Sequence, residues 1–401
     1  MKIKEFSEIN PSPSCPIQGR HIINYIDTSS VIEGRLYDIQ QLVKTFPSRA
    51  QREIRTQDIL ISSVRPNLKH NYFVEENANG MIASSGFIHI RVKDSIKISP
   101  RFLYYYLTSP SQVNRYIKIA DSSQSAYPSF NKDIIEEIEF PNIDLPTQLR
   151  IAAILGSIDE KIELNRKKIA ELEALAKTIY DYWFVQFDFP DKNGKPYKSS
   201  GGKMVWNEQL KREIPYGWEV KRLPGLAEYL FGYPFDSSLF NNTNIGFPIV
   251  RIRNVKDGIT QDRTTEATNK DYIISNGDFL IGMDGYFDMN HWTGGDAYLV
   301  QRTCRIKAKE ILYNGWLSLA LYAPIKHLEK SLSGATLAHL GKLHLDEILL
   351  TLPPKNITDA ALILINTTIQ RKVSLGIEIQ KLAKQRDTLL PLLMNGQVEV
   401  K

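Results

Sequence analysis

The stretch IAAILGSIDEKIELNRKKIAELEALAKTIYDYWF, residues 151–184, decides how the rest of the chain is organised. Its apolar residues recur at alternating steps of four and three. This is the heptad spacing of a helix that packs along one partner helix. Asn165 is a polar residue in the middle of the seam. The seam positions are Ile151, Leu155, Ile158, Ile162, Asn165, Ile169, Leu172, Ala176, Ile179 and Trp183.

A second, less regular heptad pattern lies near the end of the sequence. It contains Gly376, which weakens a helix, and Pro391, which breaks or kinks one, so we expect this helix to bend or end near Pro391. Pairing the two heptad helices within one chain predicts an approximate two-fold symmetry. Asn165 then either fixes the register of the pair or is a polar residue tolerated near a helix end or in a loop. The second seam contains Ile365, Ile369, Val373, Ile379, Leu382 and Leu389.

The composition is that of an ordinary globular protein. The chain has 401 residues, 42% hydrophobic and 24% charged, which suggests two or three domains. Its net charge of +5 permits nucleic acid as a partner without arguing for it. Cys15 and Cys304 lie far apart, without metal-binding spacing. The start MKIKEFSEIN has no signal-peptide pattern and no run of about 18 apolar residues occurs, so we expect a cytoplasmic protein without a membrane span.

The two halves of the sequence repeat each other. Short motifs recur in the same order, among them the acidic residues Asp58 and Asp278 and the glycines Gly34 and Gly258. We interpret this order as an internal duplication. The alternative is two unrelated mixed domains with similar strand and turn patterns. The matched segments are 25–34 with 250–258, 57–64 with 276–283, 122–141 with 331–353, and 178–184 with 388–394.

Each half is expected to begin with short strands and a helix and to end with its heptad helix. Between the halves, residues 187–216 are rich in Pro, Gly, Ser and Lys, which is typical of an exposed linker. The segment SSGGKM (199–204) lacks the glycine spacing and the preceding strand of a phosphate-binding loop. Nucleotide binding is therefore not expected there.

The sequence resembles the specificity subunit of type I restriction–modification enzymes over essentially its whole length. The most specific resemblance lies in LPTQLRIAAILGSIDEKIELNRKKIAELEALAKTIYDYWFVQFDFP (145–190) and GKPYKSSGGKMVWNEQLKREIPYGWEV (194–220). The stretch FGYPFDSSLFNNTNIGFPIVRIRNVKDG (231–258) also resembles the opening of a target-recognition domain.

The resemblance implies an α+β fold of two mixed α/β target-recognition domains in a pseudo-two-fold arrangement, joined by two long antiparallel coiled-coil helices. Each domain would read one half of a bipartite site in double-stranded DNA, and the helices would set the gap. The implied boundaries are 1–145 for the first recognition domain, 146–186 for the central helix, 187–216 for the linker, 217–357 for the second domain and 358–401 for the C-terminal helix.

The same resemblance implies partners and places the chemistry in them. The helices would dock two methyltransferase (modification) subunits, and restriction/translocase subunits would join the complex. The chain itself would bind no cofactor, whereas S-adenosylmethionine and ATP with magnesium would serve the partner subunits. One departure is that the first helix opens with LPTQLRIAAIL, whereas the second opens with PPKNITDAALILI (353–365) and lacks the Gln-containing entry. The second docking surface is therefore expected to differ.

The residues agree with a chain that has no catalytic site of its own. The sequence contains no N/D-P-P-Y motif for adenine methylation, no Walker loop, no H-E-x-x-H and no G-x-S-x-G. IDEK (158–161) partly matches a nuclease motif of acidic residues and a lysine. Because it lies on the heptad helix, these residues are better interpreted as solvated charges of the helix surface. A coiled-coil adaptor that binds proteins without reading DNA remains the alternative function.

Neither predicted recognition domain is strongly basic. Residues 1–145 hold 17 Lys and Arg against 16 Asp and Glu, and residues 217–357 hold 15 against 15. Any phosphate-binding surface must therefore be a local patch. Specificity is expected from loops whose side chains can meet base edges.

Two loops in each half carry such side chains, although each is also compatible with a plain solvated turn. Arg251 and Arg253 alternate on IVRIRNV, so we expect both on one side of a strand, facing either DNA or acidic partners that cover the sheet. The candidates of the first half are Arg65, Asn67, Lys69, His70 and Asn71 in one loop and Gln124, Ser125 and Tyr127 in the other. Those of the second half are Arg251, Arg253 and Asn254, then Tyr286, Asn290, His291 and Trp292, and Ser333, Thr336 and His339.

Overall fold

The chain forms two compact units in a computed structural model that describes residues 1–11, 17–93, 95, 97–122, 128–332, 338–394 and 396–397. Unit 1 contains Met1–Glu160 and Ala383–Lys401, and unit 2 contains Lys161–Leu382. Within the described ranges, no helix is both long and apolar enough to cross a membrane.

Unit 1 is built from short strands followed by helices. Its strands are β1 (Ser7–Ile9), β2 (Ile22–Ile26), β3 (Val31–Ile32), β4 (Arg35–Leu36), β5 (Gln40–Val43), β6 (Ala50–Glu53), β7 (Ile59–Ser62), β8 (Asn71–Phe73), β9 (Ile82–Ser84) and β10 (Phe87–Val92). Its helices are α1 (Ile3–Phe6), α2 (Pro100–Leu107), α3 (Pro110–Asp121), α4 (Asp133–Glu136) and the first part of α5 (Leu145–Tyr180).

Two sheets organise unit 1. One has the strand order β1-β10-β7-β8, and its neighbouring strands are antiparallel. The other has the order β5-β2-β9-β6, in which β2 and β9 are parallel. The turn between β9 and β10 therefore leads from one sheet to the other.

Unit 2 repeats this plan. Its strands are β11 (Met204–Asn207), β12 (Arg212–Pro215), β13 (Glu219–Arg222), β14 (Ala227–Phe231), β15 (Phe240–Asn241), β16 (Phe247–Val250), β17 (Arg263–Thr264), β18 (Ile273–Ile274), β19 (Phe279–Gly282), β20 (Met289–His291), β21 (Ala297–Leu299), β22 (Thr303–Ala308) and β23 (Leu349–Leu352). Its helices are α6 (Ile252–Val255), α7 (Asn314–Ala320), α8 (Tyr322–Leu332), α9 (Lys342–Asp346) and most of α10 (Lys355–Met394).

The sheets of unit 2 confirm the predicted duplication. The order β14-β22-β19-β20 reproduces the antiparallel sheet of unit 1, with β19 and β20 in the place of β7 and β8. The second sheet, β15-β17-β16-β21-β18, again contains one parallel pair, β16 with β21. Two unrelated domains would not share this order and direction of strands.

The repeated sequence landmarks occupy equivalent turns. Asp58 accepts a hydrogen bond from the backbone N–H of Arg55 at 2.7 Å, and Asp278 accepts one from Ser275 at 2.9 Å, so each carboxylate closes the turn before its strand. Gly34 and Gly258 both have positive φ, 85° and 68°, which explains why glycine recurs there.

Both long helices contribute to the core of each unit. In unit 1, Ile151 and Leu155 of α5 and Leu390 and Leu393 of α10 belong to one buried cluster with the strands. In unit 2, Ala176 of α5 and Ile365 and Ile369 of α10 do the same. Every position of both predicted seams is buried or half-buried.

Ion pairs join the two helices within each unit. In unit 2, Lys161 lies 3.4 Å from Glu378, and Glu173 lies 2.7 Å from Lys372. In unit 1, Arg386 contacts Asp159 at 3.0 Å, and the hydroxyl of Tyr105 donates to the same carboxylate at 2.7 Å. In unit 2 the residue numbers rise along one helix as they fall along the other, as in antiparallel neighbours.

Helix α10 differs from the simple expectation at Gly376. The helix continues through this residue. Thr293 packs so closely there that a Cβ on Gly376 would lie 2.8 Å from the Thr293 Cγ2 atom, which explains the glycine. The helix includes Pro391 and ends at Met394, so the expected end near Pro391 is confirmed.

Most of residues 187–216 are exposed, as predicted, but the segment is folded in part and is not a plain linker. Strands β11 and β12 form an antiparallel hairpin there. Phe187 and Phe189 are only 2% exposed, and the Phe189 ring stacks on Trp218 with centroids 5.5 Å apart. The segment does contain many turn-forming residues, but the aromatic residues between the turns pack into the core of unit 2.

Asn165 lies inside helix α5 and is completely buried, so the interpretation as a polar residue at a helix end or in a loop is wrong. Neither atom of its side-chain amide has a hydrogen-bond partner in the described part of the chain. Such a group destabilises the fold but restricts which registers two helices can adopt.

Replacing Asn165 with Leu should therefore raise the free energy of unfolding by about 1–3 kcal/mol, because a buried polar group without a partner is removed. Denaturant titration of the two proteins measures the difference. The matched control is Thr178→Leu, an exposed position on the same helix, which should change stability by less than about 0.5 kcal/mol. An unchanged stability of the Asn165 variant would contradict the expectation.

Candidate nucleic-acid interface

In unit 1, backbone hydrogen bonds bring parts of the two predicted loops together. The segment after β7 pairs with the segment before α4 through a bridge between Val64 and Ser129. The Arg65 N–H donates to the Pro128 carbonyl at 2.8 Å, and the Phe130 N–H donates to the Ser63 carbonyl at 3.0 Å. The β7–β8 loop and residues 128–130 therefore form one surface.

Unit 2 builds the same surface from equivalent segments. A bridge joins Asp284, in the β19–β20 loop, to His339 before α9. The Gly285 N–H donates to the Ala338 carbonyl at 2.9 Å, and the Leu340 N–H donates to the Met283 carbonyl at 2.8 Å. The sequence-predicted loop pairs thus meet in both units.

A helix supports the loop in each unit. In unit 1, α3 packs against the turn at 66–68 and carries the exposed cations Arg115 and Lys118. In unit 2, Glu329 of α8 accepts a hydrogen bond from the Phe287 N–H at 2.7 Å, and Phe287 is fully buried. Each loop is therefore held in a defined conformation, which a surface that reads a fixed pattern of bases requires.

The sequence matches the family described as "Type I restriction modification DNA specificity domain" over residues 1–174 and again over residues 215–374. The chain belongs to this family. The double match agrees with the repeated sheets and with the surface that is built once in each unit.

Relatives with the same description of function align along most of the chain. The type I restriction enzyme MjaIX specificity subunit of Methanocaldococcus jannaschii is 25% identical, and the match covers 90% of this chain and 85% of that protein. The type I restriction enzyme HindI specificity subunit of Haemophilus influenzae is 23% identical, with 93% and 94% covered.

The fold also resembles a solved one. The crystal structure of the type I restriction–modification system S subunit from M. genitalium matches with a TM-score of 0.58 at 15% identity, covering 98% of this chain and 95% of that one. This likeness concerns the fold, in which strands and helices mix within each unit and long helices follow.

In this specificity-domain chain, several predicted residues of unit 1 lie at the surface. Arg65, Asn67 and Lys69 are exposed in the β7–β8 loop, and Lys69 pairs with Glu33 at 3.2 Å. His70 is half-buried, and burial lowers the pKa of its imidazole despite the opposing charge of Asp27.

Asn71, in contrast, is 7% exposed. It lies on β8, so its side chain belongs to the packing of the sheet, and its prediction as a base-contact residue is corrected.

In unit 2 the predicted residues divide more sharply. Tyr286 is 78% exposed at the tip of the β19–β20 loop, and the His339 side chain is 54% exposed. Trp292 is completely buried, and its indole N–H donates to the Gly295 carbonyl at 2.5 Å. Its prediction as a DNA contact is corrected, because the ring fills the core between the two sheets.

His291 and Asn290, which precede Trp292, also have structural roles. Burial lowers the pKa of His291 to about 3, and the charge of Lys372 adds to this shift, so the ring is neutral and unsuited to a phosphate. The Asn290 amide donates to the Lys256 carbonyl at 2.8 Å and accepts from Lys372 at 3.2 Å. Glycine and polar residues made this segment look like a loop, whereas β20 passes through it.

The expected alternation of Arg251 and Arg253 on a strand is wrong. Strand β16 ends at Val250, and helix α6 begins at Ile252. The Asn254 side chain accepts from the Arg251 N–H at 2.8 Å and caps this turn, whereas the Arg253 Nε donates to Asp262 at 3.1 Å. Of these residues, Arg253 is still largely exposed, with 63% of its side chain accessible.

Other predicted contacts lie outside the described residues. They are Gln124, Ser125, Tyr127, Ser333 and Thr336. The described part of the chain also contains no group of three or more His, Cys, Asp or Glu side chains placed to hold a metal ion.

Sequence reasoning missed Arg302. Its side chain is 56% exposed and pairs with Asp284. Asp284 also contacts His339 and lies close in sequence to Tyr286. Arg302 belongs to the turn between β21 and β22. The surrounding sequence AYLVQRTCRI is rich in apolar residues and predicts strands, but no local pattern marks Arg302 as a surface contact.

Stability measurements should separate the buried and exposed aromatic residues of this loop. Trp292→Ala should lower the free energy of unfolding by about 3–5 kcal/mol, because it empties part of a packed core. Tyr286→Ala should change it by less than about 0.5 kcal/mol, because the ring is largely in solvent. Equal stabilities of the two variants in denaturant titrations would contradict the assignment.

Proposed function

We propose that the chain is the DNA sequence-specificity subunit of a type I restriction–modification complex and acts in the cytoplasm. Unit 1 reads one half of a bipartite site in double-stranded DNA, and unit 2 reads the other. The observation that carries the proposal is the surface formed twice by the same backbone hydrogen bonds, at Val64 with Ser129 and at Asp284 with His339.

The side chains on the two surfaces support reading of unequal half-sites. Unit 1 presents Arg65, Asn67 and Lys69, whereas unit 2 presents Tyr286 and His339. Arginine can donate two hydrogen bonds to guanine, asparagine can donate to N7 and accept from N6 of adenine, and lysine suits phosphate. Equal scaffolds with unequal side chains give one chain an asymmetric target.

The long helices act as the spacer of the proposed complex. They run antiparallel as a coiled coil, give the two target-recognition domains a pseudo-two-fold relation and set the gap between half-sites. The ion pairs Lys161–Glu378 and Glu173–Lys372 support this pairing. Away from the seam the helices expose apolar side chains that suit docking of two methyltransferase subunits. These are Leu164, Leu175, Ile363 and Leu364, between 46% and 55% exposed.

Chemistry in this proposal belongs to the partner subunits. The methyltransferase subunits use S-adenosylmethionine to methylate adenine, and the restriction/translocase subunits use ATP with magnesium to move along and cut unmodified DNA. The specificity chain contributes the choice of sequence and positions the other subunits on it.

A genome-wide map of methylated adenines tests the proposal. The chain is expressed with the modification subunit encoded beside it, and the map is compared with that of cells lacking the chain. We expect a new motif of two short half-sites around a fixed gap. A modification subunit that co-purifies without any new motif, or no co-purification at all, would contradict DNA reading, and the second result would favour the coiled-coil adaptor.

Lengthening both helices by one heptad should lengthen the gap. Seven residues add about 10 Å to a helix, which corresponds to roughly 3 base pairs of duplex. The insertions belong before Asn165 in α5 and at the facing position after Leu375 in α10, so that the seams stay in register. The methylation map of this variant should show the same half-sites with a longer gap.

The matched control inserts the heptad into α5 alone. It should disturb the pairing of the helices and abolish methylation, because the seam of α5 is then seven residues longer than the seam of α10 and the two no longer match. A double insertion that methylates the original motif with its original gap would show that the helices do not set the spacing.

A further inference from the structure

Arg302 occupies an unusual backbone position in unit 2. It lies in the turn between β21 and β22 with φ of 68°, a left-handed conformation that side-chain-bearing residues other than Asn, Asp and His rarely adopt. Its carbonyl accepts a hydrogen bond from the Met283 N–H at 2.9 Å, which ties the turn to the β19–β20 loop. The Arg302 side chain is therefore held next to the candidate interface.

A nearly buried carboxylate aims this side chain. The Asp284 side chain is only 9% exposed, and its two oxygens have different partners. One accepts a hydrogen bond from Arg302 Nη1, and the other lies 2.6 Å from His339 Nδ1. Asp284 thus holds two exposed nitrogen-bearing side chains beside each other, with 56% of Arg302 and 54% of His339 accessible.

Part of the guanidinium group stays available. In the described structure, Nη1 of Arg302 is the nitrogen that bonds to protein, and the group carries further N–H donors in a planar fork. Such a fork matches the O6 and N7 acceptors of guanine in the major groove. A carboxylate behind the fork fixes its orientation without covering its outer edge.

The three equivalent positions of unit 1 carry no charged side chain. The Gly86 carbonyl there accepts from the Ser63 N–H at 3.0 Å, as Arg302 does from Met283, and the bridge joins Val64 to Ser129. Gly86, Val64 and Ser129 therefore stand in the places of Arg302, Asp284 and His339. Since unit 1 forms the same backbone without the charged cluster, the cluster is not required by the fold.

We infer that Arg302 reads a guanine in the half-site of unit 2, with Asp284 as the residue that positions it. His339 shares the carboxylate and closes the other side of the cluster. The inference rests on the proposed DNA-reading function and deepens it, because it assigns one base contact to one unit.

The test compares methylation maps of complexes assembled with the wild-type chain and with Arg302→Gly. Glycine suits the left-handed turn, so the melting temperature should stay equal or rise. We expect one G·C pair in one half-site to become degenerate, with a roughly 10- to 100-fold loss of preference. The other half-site and the gap should not change.

Three further variants separate a bidentate contact with the base from a contact that needs only the positive charge. Arg302→Lys keeps the charge but loses the fork, so it should relax the same base pair. Asp284→Asn should relax that pair too, because the fork is no longer aimed. Lys307→Ala removes an exposed charge further along β22 and should leave the base preference intact.

The outcomes distinguish the proposed function of the chain from the base contact assigned to Arg302. If the wild-type complex produces no split motif, the proposed function fails, and the inference fails with it. If the wild-type motif is clear but Arg302→Gly produces the same motif at the same rate, the inference alone is overturned. Full base preference in Arg302→Lys would overturn it as well, because a phosphate contact needs only the charge.

Discussion

Neither unit completes its hydrophobic core without both long helices, and the rest of the structure depends on this constraint. The core of unit 1 needs Leu390 and Leu393 from the far end of α10 as well as Leu155 of α5. The core of unit 2 needs Ala176 and Ile365 from the same two helices. Packing of these apolar side chains therefore makes both long helices part of the core of each unit.

On this shared support, the backbone is repeated and the side chains are free to differ. Equivalent strands, turns and backbone hydrogen bonds recur, including the turns closed by Asp58 and Asp278. At the surface, Ser129 in one unit corresponds to the exposed His339 in the other. The fold needs the hydrogen bonds and the core, whereas the exposed side chains are constrained only by what they contact.

This division explains which features the sequence could predict. The heptad seams and the repeated landmarks follow from local periodicity and turn chemistry. The sequence predicted both, and the structure contains them in the buried seam positions and in the equivalent turns. The burial of Trp292 and of the aromatic residues in 187–216 was not predicted, because Gly, Pro and Asn mark turns without showing whether neighbouring aromatic residues are buried. Arg302 was missed because its role depends on Asp284, a tertiary contact between separate turns that no local pattern contains.

Charge shows why a few oriented side chains matter so much in such a chain. The segments 1–145 and 217–357 are nearly neutral, with net charges of +1 and zero. Non-specific affinity for DNA comes from neutralising phosphates, so neutral units hold arbitrary sequences weakly. In the proposed function, discrimination depends on side chains that are held in place before DNA binds, as Asp284 holds Arg302 and His339.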